Sequence, residues 1–393
     1  MDPVRNPFAP GAGSPPPELA GRHGIILEAE TAIQRIALGR HAQSLMLTGL
    51  RGVGKTVLLT RIQLIAEQNH YHAALIETPE DKSLGELLTP ALRTILFRLD
   101  QLGAVNDRVK RALRVLRSFA GSLKLKHGDF ELSLGIEPER GTADSGDIEI
   151  DLPELIAAVG EAAQARGKPV ALLLDELQYV SEAELSGLIM GVHKVSQQQT
   201  PFLVMGAGLP QLAGKAGRSK SYAERLFKFI DIGPLARSDA ITAIREPIVR
   251  EGEKIKPDAV DAIVKASEGY PYFLQEWAHE CWNMADKSPI TLKDVERASR
   301  KVVDKLDGSF FRVRLDRLTP SEKRYLRAMA ELGPGPHRSG DVADILGVKV
   351  TSVAPLRGGL IRKGMVYSPS HGDTAFTVPL FDAFMKRQLP WPV

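Results

Sequence analysis

Five short apolar runs, separated by helical sequence, set the strongest limit on what this chain can fold into. They are Ser44–Thr48 (SLMLT), Ala73–Glu77, Val170–Leu174 (VALLL), Phe202–Met205 and Phe227–Ile232. Runs this short, with no polar alternation, suit strands buried on both faces of a sheet. Helical stretches lie before and between them, at about 25–39, 56–68, 84–100, 105–120, 156–165 and 182–198. Strands alternating with helices build βαβ units and a parallel sheet. The expected fold is therefore α/β around a five-stranded parallel sheet.

The alternation stops at Gly233-Pro234. Helical sequence alone follows, at about 238–250, 257–268, 271–285 and 291–306. A last unit then reads helix 320–332, short helix 339–346, helix 352–364 and hairpin 365–378, which is the order of a winged helix. The expected division has an extended Pro-rich lead-in at 1–20, a sheet domain at 21–233, a helical unit at 234–307 and a winged-helix domain at 308–393. Period-two alternation around His127-Gly128-Asp129 adds a hairpin insertion at about 123–135. Residues 136–151 are acidic and polar and are expected to form a loop.

Composition excludes several classes. With 43% hydrophobic and 25% charged residues, the 393-residue chain is neither disordered nor fibrous. A net charge of +3 is too small by itself to indicate nucleic acid. The single cysteine, Cys281, can form no intrachain disulfide. No apolar run approaches the roughly 18 residues of a membrane span. The first residues lack a basic-then-apolar leader. A soluble cytoplasmic protein with no membrane partner is expected.

The chemistry begins directly after the first strand. Gly49-Leu50-Arg51-Gly52-Val53-Gly54-Lys55-Thr56 matches GxxxxGK[ST]. Such glycines let backbone N–H groups curl around phosphate oxygens, with Lys55 aimed at the β- and γ-phosphates and the Thr56 hydroxyl at Mg²⁺. The run Leu172-Leu173-Leu174-Asp175-Glu176 ends a buried strand in two acids. Asp175 would hold Mg²⁺ beside the phosphate loop, and Glu176 would polarise the attacking water. The pair favours ATP hydrolysis over transfer to a small acceptor.

At these motifs the chain resembles AAA+ ATPases, in the clade of replication initiators and archaeal-type ATP-binding proteins. Gly21-Arg22, GLRGVGKT, LLLDELQ and GAGLP at 206–210 carry the resemblance. It implies that the sheet domain is a P-loop ATPase domain and that residues 234–307 are its lid, with ATP and Mg²⁺ held between them. It also implies that Arg225, in SYAERLFKF, reaches a neighbouring copy's γ-phosphate as a third catalytic residue beside Lys55 and Glu176, with Arg218 as its competitor. Two departures stand out. Met205-Gly206-Ala207-Gly208 offers no polar side chain after the fourth strand, which leaves Gln178 or Gln211 for that contact. The lid helix GYPYFLQEW has no arginine; it resembles the Pro-containing motif of signalling ATPases, which makes Pro271 the candidate beside adenine.

The C-terminal unit points to a partner. Residues 316–393 carry eleven lysines and arginines against seven acids. Arg357, Arg362 and Lys363, on the second long helix, are expected to meet the phosphates of duplex DNA. The alternative is a regulatory, STAND-like ATPase whose winged helix docks a protein partner. A homo-oligomer is compatible with either.

Overall fold

The computed structural model describes residues 1–11, 13–101, 106–123, 137–370 and 372–391. The expected hairpin at about 123–135 lies outside the described residues, except for Leu123. Strands β1 (Ser44–Thr48), β2 (His72–Glu77), β3 (Val170–Asp175), β4 (Phe202–Gly208) and β5 (Phe227–Asp231) form one sheet in the order β2-β3-β4-β1-β5. Every pairing in it is parallel. The inner strands β1, β3 and β4 are buried throughout.

Successive side chains point to opposite faces, so each inner strand feeds two cores. Leu45, Leu47, Leu173 and Met205 pack with Ile33, Leu58 and Ile62 of the helices His23–Ala37 and Lys55–Gln68. Met46, Leu172, Leu174 and Val204 pack on the other side with Leu92, Leu116, Leu155 and Ile189. These last residues come from the helices Leu84–Asp100, Asp107–Ser122, Ile148–Arg166 and Glu182–Gln198.

The acidic stretch before the third strand is not all loop. Its helix starts at Ile148, where Asp147 caps the Glu149 N–H at 2.9 Å. Glu149 and Asp151 then sit in the first turn, where carboxylates suit the helix dipole. Asp151 is buried and accepts bonds from the Ser145 hydroxyl at 2.8 Å and the Gly146 N–H at 2.9 Å. Polarity suggested a loop here, whereas the acids serve as cap and anchor.

Four helices follow the sheet: Arg237–Arg250, Pro257–Ser267, Pro271–Met284 and Leu292–Lys305. The last runs without a break into a π-helical turn, Leu306–Phe311, and a short helix, Arg312–Asp316. Helices Pro320–Leu332, Ser339–Leu346 and Val350–Arg362 come next. Strands β6 (His337–Arg338), β7 (Val366–Tyr367) and β8 (Asp373–Phe376) make an antiparallel sheet ordered β6-β8-β7. This is the arrangement expected of a winged helix, with one further helix, Phe381–Gln388, against its first.

The helical unit and the C-terminal unit share one apolar core, in which Phe273, Trp277, Phe311, Leu326, Phe381 and Phe384 all take part. Phe311 joins the two, with ring centroids 6.3 Å from Phe273 and 5.0 Å from Phe384. The Pro-rich lead-in, expected only to be extended, is packed as well. Phe8 is buried in that same core. The Asn6 amide donates to the His279 carbonyl at 3.0 Å, and the Trp282 indole donates to the Asp2 carbonyl at 2.8 Å. Apart from one 3-10 turn, Pro3–Arg5, the segment is extended, and it docks all the same. Phe8→Ala should therefore destabilise the chain by about 3 kcal/mol, as for a buried phenylalanine. Urea unfolding measures it, and an unchanged midpoint would mean that the lead-in contributes nothing to the fold.

Candidate functional site

The carboxyl ends of parallel strands leave a crevice where loops cross, and ligand sites form there. Here the crevice is a cavity of about 490 Å³. It lies between the Gly49–Thr56 loop, the end of β3, the lid helix Pro271–Met284 and the lead-in. Gly49 has no room for a side chain, because an added Cβ would lie 2.2 Å from the Ile232 carbonyl oxygen. Gly54 has φ 94, a left-handed conformation that starts the next helix. Together they fix the curve of the loop, in which the Gly49 N–H donates to the Gly208 carbonyl at 3.2 Å.

Three expected side chains converge. The Thr56 hydroxyl donates to the Asp175 carboxylate at 2.5 Å, joining the loop to the end of β3. Lys55 is buried, and its Nζ donates to the Gly49 and Leu50 carbonyls at 2.9 and 2.8 Å. Burial holds its ammonium down to about 8, with nearby Arg51 acting the same way and Glu176 and Asp175 opposing. Burial raises the Asp175 carboxyl above its ordinary value, with Glu176 adding to this and the Thr56 bond opposing it. Glu176 takes φ 57, uncommon for a side-chain-bearing residue and typical of strained functional turns. The Gln178 amide donates to the Glu176 carboxylate and accepts from the Leu209 N–H at 3.0 Å. Gln178, rather than Gln211, thus stands between the second acid and the end of β4.

Other candidates fall into place unevenly. Pro271 lines the cavity, and the Tyr272 N–H donates to the Gly52 carbonyl at 3.1 Å, so the lid helix starts on the loop. Arg22 donates to the Val53 and Gly233 carbonyls at 3.3 and 2.5 Å. Arg225 is not brought into this site. It is exposed just before β5, whose first residue, Phe227, pairs with Ser44 at the opposite end of β1 from the loop. Arg218 is exposed in the helix Gln211–Ser219, where it pairs with Glu182.

Two of the three expected DNA contacts are committed elsewhere. Arg357 donates to the Thr374 hydroxyl, the Ser368 hydroxyl and the Asp373 carbonyl at 2.7, 2.7 and 2.9 Å, which ties it to the hairpin. Lys363 pairs with Glu322 at 2.7 Å. Turned inward, these charges are not at liberty to meet phosphates; only Arg362 is exposed.

Sequence reasoning missed the contact between the C-terminal unit and the loop. The Arg51 N–H donates to the Thr377 carbonyl at 3.0 Å, and the Arg51 guanidinium donates to the Tyr179 hydroxyl at 2.7 Å. Gly364 is held close, since a Cβ there would lie 3.0 Å from the Tyr179 hydroxyl. No motif marks Tyr179, Gly364 or Thr377, and backbone contacts leave little trace in side-chain identity.

The match to known families decides the class of the sheet domain, because residues 18–205 match the AAA ATPase domain. Residues 18–205 form an AAA ATPase domain. Residues 308–385 match a family described only as a domain of unknown function. A curated protein of Methanocaldococcus jannaschii, described as an uncharacterized HTH-type transcriptional regulator, is 23% identical over 84% of this chain and 79% of its own. The Walker-type ATPase of Pyrococcus abyssi is a solved structure with the same fold, at a TM-score of 0.56 and 15% identity over 95% of this chain and 98% of that one. The Thermotoga maritima RuvB branch migration motor is more distant, at a TM-score of 0.46 and 14% identity over 94% and 96%.

An AAA ATPase domain binds nucleotide, and its lysine supplies a pH test. Lys55 loses its proton near pH 8, while bound phosphates favour its charged form. Nucleotide affinity should therefore fall as pH rises through about 8, by up to about tenfold per pH unit. Calorimetry from pH 7 to 10 checks this, and Lys55→Ala should lose both the affinity and its pH dependence. A flat profile would contradict the role given to the lysine.

Proposed function

We propose that this chain is an ATP-binding, ATP-hydrolysing switch whose C-terminal winged helix binds duplex DNA under control of the nucleotide. The Arg51–Thr377 bond carries the reading, because the same loop that would cradle phosphates also touches the C-terminal unit. The proposed parts are the ATPase domain at 21–233, the lid at 234–307 and the winged helix at 308–393.

The loop from Gly49 to Thr56, including Leu50, Arg51, Gly52, Val53 and Gly54, would wrap the phosphates, with Pro271 beside the adenine. Thr56 and Asp175 suit Mg²⁺, since their two oxygens meet at 2.5 Å and are the hard donors that ion prefers. Mg²⁺ would supply charge neutralisation at the phosphate oxygens. Glu176, oriented by Gln178, would take the proton of the attacking water. Glu176→Gln should keep nucleotide affinity while turnover falls about 100-fold or more. Unchanged phosphate release would move the base elsewhere. Arg225 can act only on a second copy, so Arg225→Ala should slow hydrolysis only at concentrations where the chain self-associates. Specific activity independent of concentration and equal in the two proteins would remove it from the mechanism.

The relative described as an HTH-type regulator supports DNA as the partner, as do exposed Arg338, Lys349 and Arg362 on the C-terminal unit. A protein partner is the second reading, supported by Val348 and Val350, exposed at 45% and 50% where the second long helix begins. Fluorescence anisotropy of a labelled duplex over a salt series separates them. Binding should weaken steeply with salt, and Arg362→Ala should flatten the slope by about one unit. No binding at low salt with ATP present would favour the protein partner.

A further inference from the structure

The cavity holds one more cation than the phosphate loop accounts for. Arg314 lies in the short helix Arg312–Asp316, beyond both the sheet and the lid helices, yet it lines the cavity together with Lys55, Thr56 and Glu176. We propose that Arg314 is a phosphate-binding residue of the nucleotide site and grips the terminal phosphate of ATP from the C-terminal segment.

The placement of Arg314 is built by packing. Its guanidinium sits 4.0 Å from the Phe310 ring centroid and donates to the Phe310 carbonyl. Phe310 stacks on Tyr272 at 4.8 Å, and Tyr272 is bonded to Gly52 of the phosphate loop. The π-helical turn Leu306–Phe311 places Phe310 against the lid and Phe311 in the core, and such turns frequently mark functional positions. The neighbouring Leu315 is buried, so the segment cannot rotate Arg314 away without opening the core.

The electrostatics call for an anion. Among the described residues, no carboxylate lies within ion-pair distance of Arg314, although a guanidinium carries five donors. Burial lowers its pKa to about 10, and Arg51 stands close enough to add to this. Glu176 acts on Arg314 through space but is itself bonded to Gln178. Three cations, Lys55, Arg51 and Arg314, thus face one cavity. A half-buried guanidinium with no carboxylate partner is costly unless an anion completes it, and a phosphate matches its planar fork. The side of the cavity bearing Glu176 is where the attacked phosphate would lie, which makes the terminal phosphate the one within reach.

The consequence is specific. ATP would be held at both ends of the molecule, by Lys55 in the ATPase domain and by Arg314 in the segment leading into the C-terminal unit. ADP would keep only the first grip. Loss of the terminal phosphate would then remove this second grip and leave the C-terminal unit held to the loop by the Arg51–Thr377 bond.

This inference rests on the cavity being an ATP site, and calorimetry on the full chain with Mg²⁺ tests the two separately. Titrations use β,γ-imido-ATP and ADP against the unaltered protein, Arg314→Ala, Arg314→Gln and Arg314→Lys. The alanine and glutamine variants should lose about tenfold or more in affinity for the imido analogue, as expected for a lost charge-assisted bond. Their ADP affinity should stay within about threefold, which also reports an intact pocket. Arg314→Lys should recover part of the loss. Glutamine keeps most of the stem over Phe310, so it remains informative where alanine disturbs the packing. Equal losses for the two nucleotides, or no loss, in a protein that binds both would overturn the role of Arg314 and leave the ATP site standing. Failure of the unaltered protein to bind either nucleotide would overturn both.

Discussion

Parallel strands start at one edge of a sheet and end at the other, so everything that follows a strand collects at a single edge. In this chain the phosphate loop follows β1, the acid pair ends β3, and Leu209 follows β4, all at that edge. The bond between Thr56 and Asp175 fixes the first two in register, and Gln178 ties in the third. The buried strands make this placement rigid, because a slip of one residue would turn Leu172 and Leu174 out of one core and into the other. The cavity is therefore a consequence of strand direction, and the side chains in it are the part the sequence can vary.

The other half of the molecule is a block that rests on the first. The lid helices and the C-terminal unit share one apolar core through Phe311, and the lead-in joins it through Phe8. Such a block tends to move as one body, because its parts cannot separate without exposing large aromatic side chains. Its contacts with the ATPase domain include the hydrogen bonds from Tyr272 to Gly52 and from Arg51 to Thr377 and the ion pair of Arg317 with Glu80 at 2.8 Å, while Tyr270 packs against the apolar core under the sheet. In the proposed switch such a block would have two positions on the ATPase domain, and a phosphate at the seam would bias them. The proposed switch needs no other device.

The sheet was legible because its strands are apolar throughout and end in residues with a chemical task. All five strands lie within a few residues of where hydrophobic runs put them, and the GxxxxGKT and DE motifs fall where those strands end. The helix from Ile148 was obscured, since its acids serve as cap and anchor. Phe8 was hidden among prolines, which argue against an element but not against burial. Arg357 and Lys363 looked available because charge suggests solvent, whereas Thr374 and Glu322 turn them inward. Arg314 belongs to no motif. Its place in the cavity comes from a π-helical turn that no local pattern in LDGSFF announces.

The central claim is that the nucleotide site and the C-terminal unit share a contact and respond together. Amide hydrogen exchange on the full chain, with and without ATP and Mg²⁺, addresses it directly. The segment 49–56 should change protection on adding ATP, and the segment 364–378, which includes Thr377, should change with it. A change confined to 49–56, with 364–378 exchanging as before, would show that the C-terminal unit does not sense the nucleotide and would contradict the account.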